Sequence, residues 1–177
     1  LQKINSAKYE PVGLKNHYAK KIKEYSDELS DAVVSNGLNG LVKIFVLVTL
    51  KNKEKDEKKA DRERVDQLIK NSESYINQYD NRILGDVITV HNVTPLPIKI
   101  RINITKSSGF VLDKEQIKSN LKSKFKEENK LGKQFSKSWF VSKVFTNGFE
   151  NVQVNTDLPK VSFNQILKLE DVSIEVD

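Results

Sequence analysis

The sequence predicts an α+β protein built from two small two-layer α/β sandwich subdomains, with helices packed on mixed or antiparallel sheets. Three observations lead there. An apolar run from Val42 to Thr49 is followed by a charged stretch, a helical stripe and a second short apolar run, which is a strand, helix, strand succession. A strictly alternating segment beginning at Leu96 is followed by two helical stripes and two further strand-like runs. Between them, Thr94-Pro95-Leu96-Pro97 removes two ladder donors and holds the preceding residues extended, so the subdomain boundary is expected there. The predicted organisation is a helical connection over 1–30, a first α/β subdomain over 31–93 and a second over 94–177.

Taking the elements in order, Tyr18, Ile22 and Tyr25 have helical spacing and predict one short helix. Ala32 to Val34 is expected as a short strand, and Asn36-Gly37-Leu38-Asn39-Gly40 supplies residues that tolerate positive φ, which makes it a turn. Ile44, Phe45, Val46, Leu47 and Val48 in succession suit a strand buried on both faces. The stretch Lys51 to Lys59 interleaves both signs of charge and is expected as a solvated loop running into a helix. Val65, Leu68, Ile69, Ser72, Ile76 and Tyr79 fall at i, i+3, i+4, i+7, i+11 and i+14, one stripe of an amphipathic helix. Asn81 to Gly85 ends it, and Val87 to His91 reads as a strand.

In the second half, Leu96, Ile98, Ile100, Ile102 and Ile104 alternate with Pro97, Lys99, Arg101, Asn103 and Thr105, so one face of a long strand is apolar and the other wet. Asp113 is placed to cap the next helix, with Gln116 three residues on and Leu112 and Ile117 at the staple positions. Ile117, Leu121 and Phe125 form its apolar stripe. Gly132 breaks the pattern, and Ser136 offers a second N-cap with Phe135 and Phe140 as staple for a short helix that runs through Phe145 and stops at Asn147-Gly148. Phe149, Val152 and Val154 begin a further strand, Pro159 interrupts the chain, and Val172, Ile174 and Val176 alternate as a terminal strand. Each half is small for an isolated core, so the halves are expected to dock on each other or on partner chains.

Composition removes most chemistry. The 177 residues contain no Cys or Met and two His, His17 and His91, so thiol nucleophiles, disulfides and Cys-ligated or His-rich metal sites are not expected. The seven Gly are scattered and none opens a helix in a phosphate-cradling spacing, and no Ser sits between two Gly as in a nucleophile elbow. His91 at a strand end has only Asp86 as a nearby carboxylate in sequence and reads as a surface residue. Glu127 with Glu128, and Glu170 with Asp171, are adjacent pairs; neighbours on a helix diverge by about a hundred degrees and cannot flank one bond. Asn92-Val93-Thr94 and Asn103-Ile104-Thr105 match the glycosylation pattern without a secretory signal to support it. No catalytic, cofactor-binding or metal residue is expected. The apolar run Leu41 to Leu50 is broken by Lys43 and is half a membrane span, so no membrane partner is expected. The chain opens on Leu1 and is expected to be a segment of a longer polypeptide.

What remains is contact between chains. Trp139, Phe140 and Phe145 form an aromatic cluster on one short helix, either as core or as partner-facing anchors. With Ile98, Ile100 and Ile102 of the alternating strand and Val172 and Ile174 of the terminal strand, they make up the candidate protein-protein interface.

The order of these features resembles the C-terminal part of the baseplate J-like family. Asp80-Asn-Arg-Ile-Leu-Gly-Asp86 followed by Val87 to Val90 resembles the family's passage from helix end to strand, and the alternating strand Ile98 to Ile104 follows. Leu131-Gly132-Lys133, Ser136 to Val141 and Gly148-Phe149-Glu-Asn-Val152 resemble its later passage through a short helix into a strand. Ala32-Val-Val34 before Asn36-Gly37 is similar to its entry, with Asn36 where Pro is common. The resemblance spans roughly residues 30 to 177. It implies a non-enzymatic building block of the baseplate of a contractile phage tail or related injection machine, found in the virion after assembly in the host cytoplasm. Such proteins pair with a second copy and with other wedge proteins around the tail tube, and their ring passes the firing trigger to the sheath.

The alternative is a basic nucleic-acid-binding domain. Its grounds are the formal charge of +6 and Lys114, Lys118, Lys122 and Lys126, which line one helix face at intervals of four. Against it, residues 1–93 hold 16 basic and 14 acidic side chains and residues 94–177 hold 14 and 10, so neither half is strongly basic, and the densest charged stretch has no aromatic for base stacking. Nucleic acid is therefore the less favoured partner.

Overall fold

The computed structural model describes residues 12–36, 40–51 and 58–177. Residues 37–39 of the expected turn, 52–57 of the charged loop and the first eleven residues lie outside the described residues. The fold is α+β, with four helices on two three-stranded mixed sheets among the described residues. The chain divides into two units, 1–93 and 94–177.

Unit 1 runs α1 (Val12–Tyr25), β1 (Leu29–Asn36), β2 (Leu41–Val48), α2 (Lys58–Ile76) and β3 (Val87–Asn92). The strand order is β1-β2-β3, antiparallel between β1 and β2 and parallel between β2 and β3. Parallel neighbours need a long crossover, which α2 supplies. One core gathers Tyr18 and Ile22 of α1, Ile76 of α2 and the inward residues Ala32, Val34, Val42, Ile44, Val46, Ile88 and Val90 of the sheet. The helix at the start of the chain is thus part of the unit 1 sandwich, packing mainly on β1, rather than a separate connection.

Two further expectations are corrected in unit 1. The run at 42–49 is not buried on both faces: α1 and α2 cover one face, while Leu41 and Lys43 are exposed and Phe45 and Leu47 only half-buried on the other. Tyr79 does not continue the α2 stripe, because the helix stops at Ile76 and Tyr79 lies in the following turn, 82% exposed. Gly40 has φ +72 beside the start of β2, and a Cβ there would stand 2.7 Å from the Gly85 carbonyl oxygen, so the approach of this turn to the 77–86 loop requires glycine.

Unit 2 runs β4 (Leu96–Lys106), α3 (Lys114–Glu128), α4 (Lys137–Val144), β5 (Phe149–Val154) and β6 (Leu167–Val176). The order is β5-β4-β6, with β4 antiparallel to β5 and parallel to β6. The alternation of β4 is realised: Ile98, Ile100, Ile102 and Ile104 are buried under α3 and α4, and Lys99 and Arg101 are exposed. Both helices start where the capping residues place them. Gln116 N donates to the Asp113 carboxylate at 3.0 Å, and Trp139 N donates to Ser136 Oγ at 3.2 Å.

Candidate protein-protein interface

Most of the expected interface is core. Ile98, Ile100, Ile102, Phe140, Val172 and Ile174 are all buried in one cluster with Leu121 and Phe125 of α3. The alternation that makes one face of the sheet apolar is satisfied inside unit 2 by α3 and α4, so these six side chains offer no surface to a partner. Trp139 is half-buried at the edge of this cluster, and Phe145, the α4 C-cap, is 52% exposed.

The structure brings Trp139 and Phe140 together with Phe125 and Phe135, their ring centroids 4.7 to 6.2 Å apart. Edge-to-face geometry dominates around Trp139, the arrangement the ring quadrupoles favour. Its indole N–H donates to Glu128 Oε2 at 2.9 Å, and Lys143 Nζ lies 3.0 Å from Glu128 Oε1 and 5.5 Å from the Trp139 ring centroid. Glu128 therefore ties the end of α3 to α4. The Lys143 hydrogen bond first, and the Trp139 hydrogen bond second, hold its carboxyl below the usual carboxylate range.

A depressed folded-state value means that the linkage is present above the unfolded-state titration and is lost as pH falls through the folded-state one. Trp139 is the only tryptophan in the chain, so its fluorescence reports this linkage. We expect an emission change at a pH below ordinary glutamate titration, absent in Glu128→Gln. A change centred at or above the ordinary glutamate range would count against the assignment.

Exposed apolar side chains remain in both units. In unit 2, Val111, Phe145 and Phe163 are exposed large apolar residues, and Phe145 borders a groove of about 370 Å³ with Gln116, Ile117, Asn120, Lys143 and Thr146. In unit 1, Leu41 and Val87 are register partners at the start of β2 and β3, both about half exposed, and Tyr79, Ile83 and Leu84 of the neighbouring loop are exposed as well. That loop is held from below: Tyr18 Oη donates to Asp86 Oδ2 at 2.6 Å and accepts from Ile83 N at 2.9 Å. Burial first, and the bond to Asp86 second, push the Tyr18 phenol up to about 12. Sequence reasoning missed this loop because its apolar residues lack periodicity.

The catalytic candidates weighed above do not converge. Asp86 is engaged by Tyr18, and His91 instead stacks on Phe45 at 5.4 Å with its Nε2 3.0 Å from Thr89 Oγ1. Glu127 pairs with Lys124 while Glu128 turns to Trp139 and Lys143. Among the described residues no group of three or more His, Cys, Asp or Glu is gathered to hold a metal ion, and no helix is long and apolar enough to cross a membrane. Of the α3 lysines, Lys118 is paired with Glu115 at 2.8 Å, and Lys114, Lys122 and Lys126 are exposed.

No family model matches the chain, and no curated protein matches it.

Proposed function

We propose that the chain is a structural component of the baseplate wedge of a contractile phage tail, or of a phage-derived contractile injection machine. In this role it assembles with copies of itself and with other wedge proteins around the tail tube and relays the conformational trigger to the sheath. The observation that carries the proposal is the order of the family-like motifs, of which two, Ala32 to Val34 and Ile98 to Ile104, lie within strands β1 and β4 and the others fall at element junctions. Asp80 to Asp86 lies between α2 and β3, Leu131-Gly132 between α3 and α4, Ser136 to Val141 at the start of α4, and Gly148 to Val152 at the entry to β5. Two small sandwiches with apolar residues left exposed on each also suit a part that is completed by neighbours.

The test is to purify tail particles from a strain that makes this chain and quantify it by mass spectrometry against the sheath protein, beside a strain lacking the chain. A fixed ratio to sheath, with no assembled tails in the deletion, is expected. Absence from the particles, or tails that assemble and contract without it, would overturn the proposal. Gel-shift with double-stranded DNA at low salt separates the nucleic-acid alternative, which requires salt-sensitive retention; no retention is expected.

A further inference from the structure

We propose that the outer edge of β6 takes up a basic, extended segment of a different partner chain as an added strand of the β5-β4-β6 sheet. Four strands lie at sheet edges: β1 and β3 in unit 1, β5 and β6 in unit 2. Free edges template pairing with another chain, and proteins commonly block them.

Unit 1 blocks its β3 edge with side chains and obstructs only the start of β1. Along β3, Val90 N donates to Glu73 Oε2 at 2.8 Å and Ile88 N to Asn77 Oδ1 at 3.3 Å, while Asn77 Nδ2 donates back to Ile88 O at 2.8 Å. Glu73 of α2 and Asn77, just past its end, thus occupy backbone groups a docking strand would need. Along β1, the register shifts between Leu29 and Asp31, and Ala32 N donates to Asp31 Oδ1 at 2.9 Å.

β6 is different. Asp177 N donates to Ile104 O, which sets the phase in which 171, 173, 175 and 177 face β4. The backbone groups of Val172, Ile174 and Val176 therefore point to the outer edge, and among the described residues no hydrogen bond occupies them. Among the described residues the one cap is Asn129 Nδ2 on Leu167 O at 2.6 Å, at the far end of the strand. β6 is also the longest edge strand, ten residues against eight in β1 and six each in β3 and β5.

Charge selects the occupant. Residues 167–177 hold Glu170, Asp171, Glu175 and Asp177 against Lys168, all exposed, in a chain of net charge +6. A second β6 laid alongside would set acid against acid. The remaining edges bring no cation either, since β1 carries Asp31 and β5 Glu150, while the cationic strands β2 and β4 are already paired on both sides. A segment with Lys or Arg on one face and apolar residues on the other matches the acidic side of β6 and covers the half-buried Leu169 and Val176. This inference stands on backbone geometry and charge and does not depend on the baseplate proposal.

The test is amide exchange by NMR on the full chain with three capped heptapeptides: alternating Lys and Val, alternating Glu and Val, and alternating Lys and Pro. The Lys-Val peptide is expected to slow exchange at Val172, Ile174 and Val176 by about tenfold, with the other two inactive. E170K/E175K, both exposed positions, is expected to abolish that protection and leave the fold intact. Four results would overturn the proposal: no protection by any peptide, equal action of the Lys-Pro peptide, protection confined to β5 or unit 1, or protein-concentration-dependent protection of β6 without peptide. The last would seat a second copy on the edge.

Discussion

Phe140→Ala is expected to lower the stability of unit 2 by about 3–5 kcal/mol, the usual range for removing a fully buried aromatic ring. Phe140 is 0% exposed and lies against Trp139, Phe135 and Phe125. Two features push the cost toward the upper end. α4 has only eight residues, too few to hold a helix by its own hydrogen bonds, so its place depends on the side chains it buries. The cavity would also open beside Trp139, whose bond to Glu128 fixes the same junction. A small domain holds roughly 5–10 kcal/mol in total, so the loss is a large share of it. Thermal unfolding followed by Trp139 fluorescence measures the shift, and amide exchange at Ile100, Ile102 and Ile104 should quicken with it. Phe145→Ala is the contrast: that ring is half exposed, and its loss should stay within about 1 kcal/mol. Equal losses for the two substitutions would mean that the aromatic cluster is not the keystone of the α3–α4 junction.

The difference between these two phenylalanines was only partly legible in the sequence. Local codes were readable where one residue acts on its near neighbours. Asp113 and Ser136 mark the starts of α3 and α4 because an N-cap needs nothing beyond the next three residues, and the alternation of β4 is uninterrupted. Bulges hide strands. The register shifts at Leu29/Asp31 and opposite Ile98/Lys99 put two residues out of phase, so β1 looked like three residues instead of eight and the start of β6 at Leu167 was not seen.

The interface candidates failed for a related reason. An apolar alternation says that a face is dry and is silent on what dries it, and in unit 2 that is the protein's own pair of helices. Conversely, Glu73 of α2 and Asn77 just after it look like solvated residues, yet they close the edge of β3. That role exists only in the pairing between elements distant along the chain, which no local pattern carries.

Tyr18 is where such long-range pairing should weigh most in unit 1. Tyr18→Ala is expected to cost about 3–5 kcal/mol, since it empties a core position between α1 and the sheet. Tyr18→Phe separates packing from hydrogen bonding: the ring stays, but Asp86 loses a donor at 2.6 Å and Ile83 N an acceptor at 2.9 Å. Leaving partly buried groups unpaired costs about 1–3 kcal/mol, and the 77–86 loop should loosen with it. Alkaline pH gives a further handle. Burial holds the phenol neutral up to about 12 in the folded chain, against an ordinary value of 10.0. The unfolded chain therefore ionises first, and stability present below pH 10.0 should decline as pH rises toward about 12. Tyr18→Phe removes that term, so its denaturation midpoint should fall less over the same pH interval than that of the wild type. Parallel alkaline profiles for the two proteins would show that Tyr18 is not the group whose burial shapes the alkaline limit of unit 1.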